Sequence, residues 1–305
     1  MPYEPTITTH RTMKKFIILL CSLTLSVVAF ATGQEGDVIY INGEKWFLLG
    51  KPIGSDSILR RGVDSILPEN HGVVTSNWSG YTAYWSIYNK QLFLDSILVE
   101  CYSEVAKKDY TVRIPTADMQ HVFKDYYKKK NIFASWVDYN IRAAKGPIVY
   151  YEHMGYERNH EYEQIFTIKK GMITDCKSYH NRVAVNGFSF KKSLYDESSE
   201  PIALEFPLHF ENYPELADVK IVKFSVGKLQ LNSLGQLLDC EVKARIYREE
   251  GNERKVIEIE GLAKEMKEKL MEIFPWRTLF INGEYVSDIK NSRYFIPYNI
   301  EKMGK

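Results

Sequence analysis

The chain has 305 residues, is 45% hydrophobic and 13% aromatic, and carries a formal net charge of +1. That is enough apolar sequence for one large or two modest cores. The near-zero charge gives no global field to draw in nucleic acid or an acidic membrane surface. Its 21 tyrosines favour pleated, half-buried surfaces.

The first element in chain order is a targeting segment. Lys14 and Lys15 precede an apolar run over residues 16–30, and Ala29-Phe30-Ala31 has the small-x-small pattern that signal peptidase reads. The run is short for a bilayer span, which needs about 20 residues. A signal peptide over residues 1–31 is therefore expected, with its natural start at Met13 and cleavage before Thr32. Cys21 does not suit a lipoprotein site, because Leu20 stands where a small residue is needed. The mature chain is expected in the periplasm of a Gram-negative envelope or secreted, with no stable membrane span. It keeps Cys101, Cys176 and Cys240, an odd number. Cys240 lies on the apolar side of the alternating run 238–246 and reads as a buried thiol. Cys101 and Cys176 fall in candidate strands, and the sequence leaves a disulfide between them open.

Residues 37–190 read mostly as strands. Residues 38–41 and 44–49 flank Asn42-Gly43, a strong type I′ hairpin signal. A second hairpin joins 80–88 to 91–102 across Asn89-Lys90, with Tyr81, Ala83, Trp85 and Ile87 on one face. A helix opens at Pro115-Thr116, with Thr116 as N-cap, a stripe of Met119, Val122, Phe123 and Tyr126, and Lys128–Lys130 in its last turn. Strands resume near Ile132 and Ile148. Another hairpin pairs 162–168 with 172–178 across Lys169-Lys170-Gly171. Residues 191–214 are polar, irregular and interrupted by proline, which marks a connector.

From residue 215 the pattern tightens. Val222, Phe224 and Val226 alternate with polar residues, a turn at Leu234-Gly235-Gln236 leads to the Cys240 strand, and an amphipathic helix runs from Ile259 to before Pro275. Strands follow over 276–281 and, beyond Asn282-Gly283, at Tyr285-Val286. The last strand, 294–300, contains Pro297, which places it at a sheet edge.

These features resemble, in order, the C-terminal domain of TonB-type energy transducers. The residues concerned are Phe224-x-Val226, Gly235, Val242, the helix, Pro275-Trp276, Ile281-Asn282-Gly283 with Val286, and Ile296-Pro297. The resemblance implies a small sheet with a helix on one face, whose edge strand can add a partner's strand. The chain departs from that family in lacking the long periplasmic spacer and the anchor. Residues 43–53, 78–97 and 153–156 resemble uncharacterised bacterial β-rich envelope proteins, which brings no activity. The expected fold class is α+β, a β-rich N-terminal domain over 32–190 and a ββαββ domain over 215–305.

Signatures of chemistry are few. There is no Gly-x-Ser-x-Gly elbow, no flanked Cys-His pair and no phosphate-binding Gly-rich loop. Glu152, His153, His160, Glu161 and Glu163 cluster in sequence, but His153 and His160 have no ligand spacing, so no metal is expected. No cofactor is expected either. Trp78 and Trp85 are the candidate sugar-stacking aromatics, although Trp85 lies on an apolar face. The expected function is a non-enzymatic envelope protein that binds a protein or peptide by strand addition at Tyr294, Ile296 and Tyr298. Since Pro297 removes a donor, pairing would use its neighbours or the sheet's opposite edge. The alternative is a small periplasmic hydrolase or carbohydrate-binding protein with a cleft in the N-terminal domain.

Overall fold

The computed structural model describes residues 33–191, 208–250, 253–291 and 293–300. The expected signal peptide and most of the expected connector lie outside them. The first sheet holds β1 (Asp37–Ile41), β2 (Glu44–Leu48), β3 (Tyr81–Tyr88), β4 (Gln91–Ser103), β5 (Lys108–Arg113), β6 (Tyr127–Lys128), β7 (Asn131–Phe133), β8 (Asn140–Tyr151), β9 (Arg158–Lys169) and β10 (Met172–His180). Its order is β10-β9-β8-β2-β1-β3-β4-β7-β6, with β5 also on β4.

This sheet curls until β10 meets β4 at Met172 and Gln91. The closure is fastened by Leu92 N–H donating to Gly171 O and Ile173 N–H donating to Lys90 O. Ile39, Trp85, Leu92, Ile97 and Ile168 fill the interior. Two short helices, α1 (Ser57–Asp64) and α2 (Thr116–Val122), add Leu59, Val63 and Met119 to that core. The three hairpin turns form where turns were expected, with positive φ at Asn42 and Gly43, Asn89 and Lys90, and Lys170 and Gly171.

β1 and β3 form a parallel pair, and a buried polar network ties them. The Asp37 carboxylate accepts from Ala83 N–H at 3.0 Å and from the Trp85 indole N–H at 3.0 Å. Lys51 Nζ lies 3.2 Å from it and donates to Tyr81 O at 2.5 Å. Burial pushes the Asp37 pKa above the ordinary carboxylate value, and the Lys51 charge pulls against that shift.

Beyond the barrel, β11 (Arg182–Val185) joins β15 (Thr278–Ile281) and β16 (Glu284–Ser287) in a three-stranded sheet. A four-stranded sheet has the order β14-β13-β12-β17, from β12 (Ile221–Leu231), β13 (Leu237–Glu250), β14 (Glu253–Glu258) and β17 (Tyr294–Asn299). Helix α3 (Glu260–Glu272) lays Leu262, Met266 and Leu270 on one face of it. Phe188 and Phe190, ahead of the expected connector, pack on Trp276 with ring centroids 4.8 and 5.5 Å away.

Several expectations need correction. The structure is mostly β, with 52% of the described residues in strands and 17% helical, where α+β was expected. The C-terminal part is not a ββαββ unit. A third strand, β14, precedes the helix, and the β15–β16 hairpin leaves that sheet to pair with β11. The hairpin's departure buries Leu279 and Ile281 against Tyr150 of the barrel, and the Asn181 side chain accepts from Asn282 N–H at 2.8 Å. Around α2, Pro115 rather than Thr116 is the cap residue, with no side-chain bond. The helix ends at Val122, so Lys128 lies on β6 and the lysines do not occupy a last turn. Cys101, Cys176 and Cys240 are free thiols, the first and last buried.

Candidate partner-binding edge

Besides the outer side of β14, the C-terminal sheet has two places among the described residues where backbone groups face away from a neighbouring strand. The first is β17, the outermost strand beside β12 among the described residues. Its parity follows from one bond: Ile300 N–H donates to Lys220 O at 2.9 Å. In the observed register Tyr298, Ile296 and Tyr294 lie opposite Val222, Phe224 and Val226. Hydrogen-bonded pairs alternate along an antiparallel ladder, so these three residues bond inward to β12 and Phe295, Pro297 and Asn299 face outward. The side chains of Ile296 and Tyr298 are buried in the core, Tyr294 is half-buried and stacks on Phe190, and Phe295 is exposed. The expected contact residues thus belong to the core and the inner ladder, and Pro297 leaves a gap among the outward donors.

The second place is on β13. Its pairing with β14 covers residues 245–250 and its pairing with β12 covers 237–245. Ile259 N–H donates to Ala244 O, which puts even-numbered residues of β13 on the β14 side. Val242 lies opposite Val226 but bonds away from it, toward a side where β14 has already ended. Among the described residues no strand lies beside it.

A crevice of ≈ 290 Å³ opens along this edge, lined by Val242, Lys243, Ala244, Glu258 and Ile259 and by Glu260, Ala263, Lys264 and Lys267 of α3. The four helix residues are spaced at three, four and seven, so they form one stripe along the edge. Val242, Ala244, Ile259 and Ala263 make an apolar floor. Arg245 holds Glu258 at 2.6 Å and Lys267 holds Asp239 at 2.6 Å, while Lys243 and Lys264 stand 3.8 and 3.9 Å from their nearest carboxylates. The Lys267 bond keeps the exposed Asp239 carboxyl below its usual range. Two loosely held ammonium groups therefore border an open strand edge.

The sequence reading missed this edge, because β14 and its length are not visible in the residue pattern. The stripe at 260, 263, 264 and 267 was visible as the polar flank of a helix, but nothing local says what it borders.

The histidine-rich stretch serves the fold. Glu163 is buried and accepts from His160 N–H and the Asn159 amide, both at 2.9 Å. His160 Nδ1 lies 2.8 Å from Gly146 O, and burial lowers its pKa. His153 Nδ1 is 3.0 Å from the Tyr151 hydroxyl. Of the two tryptophans, Trp85 is fully buried and Trp78 is 67% exposed.

Comparison with known proteins found no matching family model, no similar curated protein and no similar solved structure. Among the described residues no helix is long and apolar enough to cross a membrane.

Proposed function

We propose that this is a non-enzymatic binding protein of the cell envelope that captures an extended segment of a partner protein or peptide by strand addition to its C-terminal sheet. The observation that carries the reading is the backbone of Val242, whose N–H and C=O face the crevice beside α3 with no neighbouring strand among the described residues. A segment laid there gains main-chain bonds from Val242, and its alternate side chains meet the Val242–Ala263 floor. The loosely held Lys243 and Lys264 favour a carboxylate on the segment, so the occupant is an extended peptide with a small apolar residue next to an acidic one. Support also comes from the order of motifs resembling TonB-type C-terminal domains, although the edge moves from β17 to β13. At this crevice the bond from Arg245 holds the Glu258 carboxyl below its usual range, which keeps it charged beside the lysines.

Selection from a random peptide library displayed on phage, followed by Val242→Pro, tests the proposal. Val242 donates to no strand, so proline there removes the capturing donor and spares the native ladder. Selected peptides should share the acidic-apolar pattern and lose binding to the variant. Peptides that bind Val242→Pro as well as wild type would refute the edge.

A further inference from the structure

The open edge beside Val242 is short and stopped at both ends. At one end β14 fills the lane: Ile259 N–H donates to Ala244 O at 2.9 Å, and the chain then turns into α3. At the other end Lys267 of α3 reaches across to the Asp239 carboxylate at 2.6 Å, tying the helix to β13. The Lys267 bond and then the Cys240 N–H hold that carboxyl below its usual range. The Asp239 charge therefore sits over Cys240, the next residue after Val242 whose backbone faces this side. An extended strand running through the lane would meet Ile259 at one end and the Lys267–Asp239 bridge at the other. A chain end needs an opening on one side only.

Charge decides which chain end fits. Lys264 and Lys267 lie one turn apart on α3, toward the bridge. Lys264 stands 3.9 Å from Glu268, so its ammonium is loosely held, while Lys267 is spent on Asp239. The lining carboxylates gather at the opposite end, where β14 turns into the helix: Glu258, bound by Arg245 at 2.6 Å, and Glu260. An α-carboxylate placed against the bridge meets Lys264 and keeps its distance from Glu258 and Glu260. An α-ammonium there would be repelled.

We infer that the segment captured at this crevice is the C-terminus of a partner chain, its free carboxylate held by Lys264 beside the Lys267–Asp239 bridge and its backbone paired with Val242. A carboxylate accepts a charge-assisted bond from an ammonium, and capture of a terminal carboxylate is an established way to read a peptide. A small apolar side chain near that terminus rests on Ala263. The inference rests on the strand-addition reading and narrows its occupant from an internal segment to a chain end.

Two random short-peptide libraries displayed on phage, one ending in a free C-terminus and one followed by a fixed tail, test it against the full chain. Ligands should emerge from the free-ended library. The best of them, resynthesised with an N-terminal fluorescein, should bind by anisotropy at least about tenfold more tightly as the free acid than as the carboxamide. Lys264→Gln should weaken the acid by about tenfold and leave the amide and the thermal melt unchanged. Asp239→Ala should open the blocked end and admit tailed peptides. Peptides that bind equally as acid and amide, yet lose binding to Val242→Pro, would overturn the chain-end inference and leave strand addition standing. Peptides whose binding survives Val242→Pro, or no ligand from either library, would overturn both.

Discussion

Removing Asp37 should be among the most damaging single changes to the barrel. Its carboxylate is fully buried and serves Ala83 N–H, the Trp85 indole and Lys51 together. Asp37→Ala leaves two buried donors without acceptors and a nearly buried ammonium without its counter-ion. Breaking a buried pair costs about 3–5 kcal/mol, and the stranded donors bring the loss to about 4–5 kcal/mol, since such terms overlap. Lys51→Met is milder, at about 2–3 kcal/mol, because the carboxyl can protonate and keep both donors satisfied. It should also change the pH dependence. Burial already holds the folded pKa of Asp37 above the ordinary value, and Lys51 opposes that shift. Without Lys51 the folded pKa rises further above the unfolded value of about 3.9. The folded state then binds protons more tightly than the unfolded one, so stability falls as pH rises through that window. Urea denaturation at pH 4 and pH 7, read by tryptophan fluorescence, measures both effects. A loss below about 1 kcal/mol for Asp37→Ala, or a Lys51→Met variant relatively more stable at pH 7, would refute the role given to the network.

Three further outcomes are expected. Trp276→Ala should cost about 3–5 kcal/mol by thermal or urea melt, because the ring is buried against Phe188 and Phe190 and its indole donates to Leu270 O at 3.3 Å. Gly235→Ala should cost about 1–3 kcal/mol by the same assay, since φ is +79° and a Cβ would stand 2.6 Å from Trp276 O. Val242→Pro should cost only about 1 kcal/mol, whereas Tyr298→Pro should cost at least about 2 kcal/mol, because Tyr298 bonds inward to β12.

That last contrast shows how much was legible in the sequence. Turns dictated by local backbone chemistry were readable: Asn42-Gly43 and Asn282-Gly283 adopt positive φ because few other residues do so cheaply. Helix α3 was readable from its period. Pro297 correctly marked an outer strand, but sequence alone does not say which neighbours bond inward. With the register known, Tyr294 and Tyr298 become inner-ladder residues, so prolines there would break the sheet rather than blunt its edge. β14 was missed because Glu253–Glu258 is dominated by charge, and its strand state comes from pairing with β13. Barrel closure through Met172 and Gln91, and the pairing of β15 with β11, join residues about 80 to 100 positions apart, which no local pattern encodes. The site suffered most. The crevice needs the end of β14, the even-numbered residues of β13 and one stripe of α3 together.

The central claim rests on the backbone at one residue, and amide hydrogen exchange reads it directly. In the free protein the Val242 amide should exchange far faster than that of Lys243, which bonds to β12. Adding a library-selected peptide should protect Val242 strongly and leave the β17 amides unchanged. Protection of Val242 already in the free protein, or peptide-induced protection confined to Phe295 and Asn299, would contradict capture at the β13 edge.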